Sequence, residues 1–185
     1  MALPLSNPQT QLPDLLHQLG IPAGEIARRG LRLFNEAQDL VVVETRATRG
    51  FLLQPRAAQA WREMQAAAAE DGIVLELVSA FRSIERQAEL IRRKLDNGLA
   101  LADILSVLAI PGTSEHHTGC AIDVTTPGGP PADESFEDTT AFAWLNAHAA
   151  QHGYTLSFPR GNPEGYLYEP WHWCFERERL LAGMA

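Results

Sequence analysis

Apolar residues recur along this chain at two different spacings, and the switches between them mark its elements. After Pro55, which suits a first helical turn, Trp61, Met64 and Ala68 fall on one helical face, and Asp71-Gly72 closes the run. A second helical face carries Ile84, Ala88, Ile91 and Leu95, with Ser83 as cap and Asn97-Gly98 as stop. A third apolar helix covers residues 101–108 and ends before Pro111-Gly112. A fourth is capped by Thr140, runs through Phe142, Leu145 and Ala149, and closes at Gly153. Strands are expected at residues 40–43, 51–53, 73–78 (buried), 121–124 and 154–158, with a further aromatic segment at 166–175. Residues 1–30 are mixed, with Pro13, Pro22 and Gly24 dividing short helical pieces. Pro127-Gly128-Gly129-Pro130-Pro131 reads as a surface loop, and residues 159–165 as a turn. Helices and strands do not alternate regularly. The pattern therefore predicts an α+β fold with a small, mainly antiparallel sheet rather than a doubly wound parallel one.

Length and composition narrow the reading further. A chain of 185 residues suits one domain with a sizeable core, and 45% hydrophobic with 21% charged residues is ordinary for a globular protein. A net charge of −8 argues against nucleic acid or an anionic membrane as partner. No stretch is long enough to span a bilayer. The first eight residues lack the basic and apolar regions of a secretory leader, so the expectation is a cytoplasmic protein, or a periplasmic one if a leader has been trimmed. Two cysteines do not make a disulfide framework. Cys120 and Cys174 are expected to be reduced packing residues, since alternation turns Cys120 away from Asp123 while Cys174 shares the side of His172.

The chemistry concentrates in two segments, Ser114-Glu115-His116-His117-Thr118-Gly119-Cys120-Ala121-Ile122-Asp123 and Glu169-Pro170-Trp171-His172-Trp173. Histidine and aspartate are zinc ligands, and three protein ligands leave a fourth position for water, which is the layout of a catalytic site. His116, Asp123 and His172 are the candidate ligands. Gly119 breaks the run between the first two, which puts His116 on a turn and Asp123 on the strand after it. Glu169 lies close enough to His172 for a turn to bring its carboxylate beside the metal, where a metallopeptidase moves protons. A lone His or Asp more often forms a surface pair or a core hydrogen bond, so the joint pattern carries the reading. His117 should point away from His116, and His17, His148 and His152 read as solvated. Arg82 stands at a strand-to-helix corner, where it could grip a carboxylate or form only a surface ion pair; Gln87, one helical turn on, could share its site.

Three blocks in this order and spacing resemble the VanY-type D-alanyl-D-alanine carboxypeptidases, relatives of the VanX D,D-dipeptidases and of bacterial L,D-carboxypeptidases. They are Ser79-Ala80-Phe81-Arg82-Ser83 with Gln87, Ser114-x-His116-x-x-Gly119-x-Ala121-x-Asp123, and Glu169-Pro170-Trp171-His172-Trp173. The resemblance implies one Zn2+ per chain on His116, Asp123 and His172, with Glu169 as general base and acid. Arg82 would stabilise the oxyanion or hold substrate, and Ser114 and Gln87 would line the pocket. It implies the small zinc fold shared with hedgehog signalling domains, in which helices flank a metal-bearing antiparallel sheet. The substrate would be a peptidoglycan-type peptide that loses a terminal D-alanine. A non-catalytic zinc module that binds muropeptides and a peptidoglycan endopeptidase are the competing readings. Residues 1–45 have no clear counterpart and are expected to pack as an extension on a zinc peptidase domain of residues 46–185. The chain departs from the family at Phe81, where Tyr is usual, and at Ser157 and Cys174, where Arg is often found. Loss of two arginines predicts a less basic, roomier or more apolar pocket.

Overall fold

The computed structural model describes residues 8–183, with side chains for 12–182; residues 1–7, which carry most of the stretch read above for an export leader, lie outside the described residues. Helices α1 (Pro8–Gln18) and α2 (Glu25–Arg28) precede a ribbon of β1 (Val41–Arg46) and β2 (Arg49–Leu53). Helix α3 (Pro55–Glu70), strand β3 (Glu76–Ser79) and helices α4 (Ile84–Asp96) and α5 (Leu101–Val107) follow. The chain then forms β4 (Ala121–Thr125), α6 (Thr140–His148), β5 (Tyr154–Leu156), β6 (His172–Phe175) and α7 (Arg177–Gly183). The main sheet has four strands in the order β3-β4-β6-β5, and every neighbouring pair is antiparallel. This is the α+β architecture, with a small sheet flanked by helices. No described helix is long and apolar enough to cross a membrane.

The local chemistry explains where the elements begin and end. Pro55 opens α3, and Ala57, Ala58, Trp61, Met64 and Ala68 form its buried stripe. Ser83 caps α4 by accepting from Arg86 N at 3.0 Å. The cap of α6 is Thr139 rather than Thr140, because the extended backbone at Thr139 lets its Oγ1 accept from Phe142 N at 3.1 Å. The strand expected from residue 73 starts only at Glu76. Ile73 N is still bonded to Ala68 O at 2.8 Å, closing α3, and Val74 is 53% exposed. The strand expected to reach residue 158 is short: β5 ends at Leu156, and Pro159 has no N–H to extend the ladder.

Two apolar clusters make up the core. The larger packs the main sheet against α3 and α6, including Trp61, Ile122, Leu145 and Trp173. The smaller joins α4 and α5 to Leu19 and Ile21 of the N-terminal segment. That segment is also stitched to the motif region by Phe34 N to Gly112 O and Ala37 N to His117 O, both 2.8 Å. The boundary expected at residue 45 falls inside β1, which pairs along its length with β2.

Gly119 is the joint between the His116 turn and β4. Its φ is +67°, and a Cβ there would sit 2.8 Å from Leu40 Cδ2 and 3.1 Å from Gln54 N. Gln54 N also donates to Gly119 O at 2.8 Å, so the neighbouring backbone is not free to retreat. Left-handed backbone alone costs a side-chain-bearing residue about 1–2 kcal/mol. Gly161 has φ +75° with nothing within 4 Å of its would-be Cβ, and it isolates that term. In denaturant unfolding, Gly119→Ala is expected to lose clearly more stability than Gly161→Ala. Equal losses would show that the close approach at Gly119 carries no weight.

Candidate metal centre

Strands β4 and β6 pair with Ala121 opposite Cys174, Ile122 opposite Trp173 and Asp123 opposite His172. Directly opposed residues have neighbouring side chains, and Asp123 Oδ1 lies 3.0 Å from His172 Nδ1. His116 arrives from a 3₁₀ turn, Glu115–Thr118, whose start Ser114 caps by accepting from His116 N at 3.3 Å. The His116 and His172 rings meet edge-on at 4.9 Å. One ligand atom from each of His116, Asp123 and His172 lies within 4.8 Å of the others, and all three residues are buried.

The hydrogen bonds around this triad select the atoms that face a metal. His116 Nδ1 lies 2.7 Å from Ala80 O and must carry the proton, which leaves Nε2 bare. That nitrogen is buried with no hydrogen-bond partner; Asp123 Oδ2 approaches to 3.2 Å without hydrogen-bond geometry. His172 Nε2 donates to Glu115 Oε2 at 3.1 Å, which turns Nδ1 towards Asp123 and Glu169. Histidines that hold metal are oriented in this way through their second nitrogen. His117 is excluded: Nδ1 donates to Arg82 O at 2.6 Å and Nε2 accepts from Gly112 N at 3.1 Å. Two imidazole nitrogens and one carboxylate suit a divalent metal such as zinc, with a position left open.

Burial and mutual charge set the ionisation of the group. Burial lowers the His116 pKa and keeps the ring neutral. Burial alone would raise Asp123, but its close contacts with the His116 and His172 rings hold it well below the usual range. His172 is pulled down by burial, yet Asp123 and Glu115 raise it to about 10. Glu169 is raised as well, to about 7, chiefly through burial, with Asp123 and Glu115 adding to the rise and His172 and Arg82 opposing it. A turn from Glu169 O to His172 N, 3.1 Å, brings its Oε2 within 3.8 Å of His172 Nδ1.

A cavity of about 400 Å³ opens over the ligands, and its walls include Arg82, Ser114, Glu169 and Trp171. Arg82 is no surface ion pair. Its guanidinium donates to Gln87 Oε1 at 2.9 Å and Ser79 Oγ at 3.0 Å, and reaches Asp123 Oδ2 at 3.5 Å. Gln87 does not reach the cavity, contrary to the expectation that it lines the pocket. It is fully buried, and its Nε2 is spent on Ala109 O at 2.7 Å, so it holds Arg82 in place.

The motif pattern missed Glu115. It is buried between Ser157 Oγ at 2.5 Å, His172 Nε2 at 3.1 Å and Arg177 Nε at 2.7 Å. Burial would raise its carboxyl, but His172, Arg177 and Ser157 hold it at about 2. These contacts correct the reading of the two departures. Neither Ser157 nor Cys174 lines the cavity: Ser157 serves Glu115, and Cys174 sits in the sheet core. Arg177, just beyond β6, supplies a guanidinium to Glu115. Both cysteines are free and buried.

Because Glu115 fixes the His172 ring, Glu115→Gln is expected to weaken metal binding by about 10–100-fold with the fold retained. Competition with a chromogenic chelator measures this. Unchanged affinity would remove Glu115 from the account of the metal centre.

Residues 50–178 match the family described as VanY, D-alanyl-D-alanine carboxypeptidase. The chain is 32% identical over 179 residues to YodJ of Bacillus subtilis (strain 168), covering 91% of this chain and 60% of YodJ. It is 34% identical over 130 residues to the bifunctional D-Ala-D-Ala dipeptidase and D-Ala-D-Ala carboxypeptidase VanXYC of Enterococcus gallinarum, covering 66% of each. Among solved structures, the LdcB LD-carboxypeptidase superposes with a TM-score of 0.66 at 30% identity, covering 76% of this chain and 69% of that one. The matched span holds His116, Asp123 and His172 together with Arg82, Glu115, Glu169 and Arg177. The chain belongs to the VanY D-alanyl-D-alanine carboxypeptidase family.

Proposed function

We propose that this protein is a zinc-dependent carboxypeptidase that removes a C-terminal D-amino acid, D-alanine, from peptidoglycan-type peptides. The observation that carries the reading is Glu169, only 8% exposed, poised beside the ligand triad with its pKa raised to about 7. Zinc bound by His116, Asp123 and His172 supplies Lewis acidity for polarising a peptide carbonyl and activating water. Glu169 then accepts the proton of the attacking water and delivers it to the leaving amine, a two-way task suited to a pKa near the working pH. Arg82, steadied by Gln87 and Ser79, directs its remaining donors at the negative charge that develops on the former carbonyl oxygen. A module that only binds muropeptides has no need of a carboxylate in this place.

Support for the substrate class comes from the family description and from VanXYC and LdcB, whose names join D-Ala-D-Ala and LD cleavage. The chain spans 60% of the length of YodJ and 66% of VanXYC. The purified protein with zinc should be incubated with a muropeptide tetrapeptide, a pentapeptide and D-Ala-D-Ala, and freed D-alanine assayed. Zinc-dependent release of D-alanine is expected, and the preferred peptide sets D,D against L,D cleavage. Cleavage within a cross-link without D-alanine release would favour an endopeptidase.

Glu169→Ala is expected to keep the fold and bind zinc while losing about 10²–10⁴ in kcat. Turnover at the parental rate in this variant would contradict the proton-transfer role.

A further inference from the structure

Lys94 is the only lysine among the fifteen basic residues of this chain. It stands in the last turn of α4, half-buried, and lines the metal cavity. Most of the arginines rest on an acid, a carbonyl or an aromatic ring. Among the described residues, the two that do not, Arg32 and Arg93, lie exposed. Lys94 differs from both groups. It belongs to a cavity wall, yet no described residue offers its side chain an ion pair or a hydrogen bond. All three of its donors are unspent. Arg82, the other cation of the cavity besides the histidines, already gives to Gln87, Ser79 and Asp123.

The two cations sit at different stations of the cavity. Arg82 precedes the cap of α4, and Lys94 comes in its last turn. At 1.5 Å of rise per residue, Ile84 and Lys94 lie roughly 15 Å apart along the helix. Helical side chains tilt towards the N-terminus, which inclines Lys94 back along α4 towards the Arg82 end. Val107 and Leu108, where α5 ends, line the same cavity, and Val107 is 38% exposed. A lysine stem packs on aliphatic surface of this kind and keeps its ammonium at the edge. An ion pair formed beside such side chains is screened less than one in open water.

An anionic peptide has reason to need such a cation. The protein carries a net charge of −8, and Glu115, Asp123 and Glu169 all belong to the cavity, so the site otherwise repels negative charge. We propose that Lys94 is a specificity residue whose ammonium pairs with a carboxylate of the peptide held in the cavity. This rests on the reading of the site as a peptide-hydrolysing centre. Two carboxylates of a peptide have the required chemistry: the free C-terminus of the departing residue, and an acidic side chain nearer the N-terminus.

Lys94→Met removes the charge and keeps the aliphatic stem, and Lys94→Arg keeps the charge. Lys94→Met is expected to retain parental metal content and resistance to denaturant. Its kcat/KM should fall by about tenfold or more, mainly through KM, and Lys94→Arg should recover most of the loss. Calorimetry in a Glu169→Ala background reads peptide binding without turnover, with three peptides: the parent peptide, its C-terminal amide, and a form with glutamine in place of the acidic side chain. Lys94→Met should weaken binding of the parent peptide about tenfold or more and leave one neutralised form unaffected; that form names the carboxylate. Equal binding of the parent peptide with and without Lys94→Met would overturn the inference, as would an equal loss on all three peptides. A parent enzyme that cleaves nothing overturns the underlying function instead, and the binding series still decides the role of Lys94. Absence of both cleavage and binding would overturn the two together.

Discussion

The metal centre depends on one register, Asp123 opposite His172 in the β4–β6 pair. A slip of one residue would send both side chains to the other face and bring Ile122 or Trp173 to the metal side. Several contacts fix the pairing. Val124 N donates to Trp171 O and Phe175 N to Cys120 O, both at 3.0 Å, while Trp173 Nε1 is tied to Pro170 O at 3.0 Å. On the other flank of β4, an irregularity between Leu77 and Ser79 sets Ser79 opposite Asp123, where it receives Arg82. The third ligand is hung on the same strand through Gly119, so the turn and the sheet cannot move independently.

Around that register the protein gathers more charge than a small core usually tolerates. Glu115, Asp123, His116 and His172 are all buried, and each is held by a named protein partner. Losing one partner from such a set leaves an uncompensated buried charge, which is more destabilising than losing an exposed pair. The C-terminal helix therefore takes part in the site through Arg177, which links Glu115 to Glu164. The charge also shapes function. The same neighbours that press Asp123 and Glu115 into permanent ionisation leave Glu169, the most weakly compensated carboxylate, able to exchange a proton near neutrality.

Much of this was legible in the sequence because the ligands sit in short, spaced motifs and the helices carry clean apolar stripes. Adjacent side chains point apart, so only one of His116 and His117 was expected to face the metal, and the spaced motif favoured His116. Other parts left no local signal. Gln87 looks like a pocket residue by spacing, but its helix turns it inward to hold Arg82. Glu115 is one acid among many until folding places Arg177, distant in sequence, against it. Ser157 and Cys174 looked like losses from the pocket because the sequence does not show that one faces Glu115 and the other the sheet core. The late start of β3 reflects a backbone bond, Ile73 N to Ala68 O, that no hydrophobic pattern records.

The central claim is that these three side chains bind one divalent metal, with His172 surrendering a proton. In the metal-free protein Asp123 and Glu115 hold the His172 pKa at about 10, so the ring is charged at neutral pH and the metal must displace that proton. Affinity should therefore rise with pH through the neutral range and flatten above the His172 pKa. Calorimetric titration with zinc near neutral pH, in buffers of different ionisation enthalpy, tests this directly. The account predicts one zinc per chain with about one proton released, and loss of that binding in His172→Ala. Tight zinc binding that persists in His172→Ala, or that releases no proton from the parent, would contradict it.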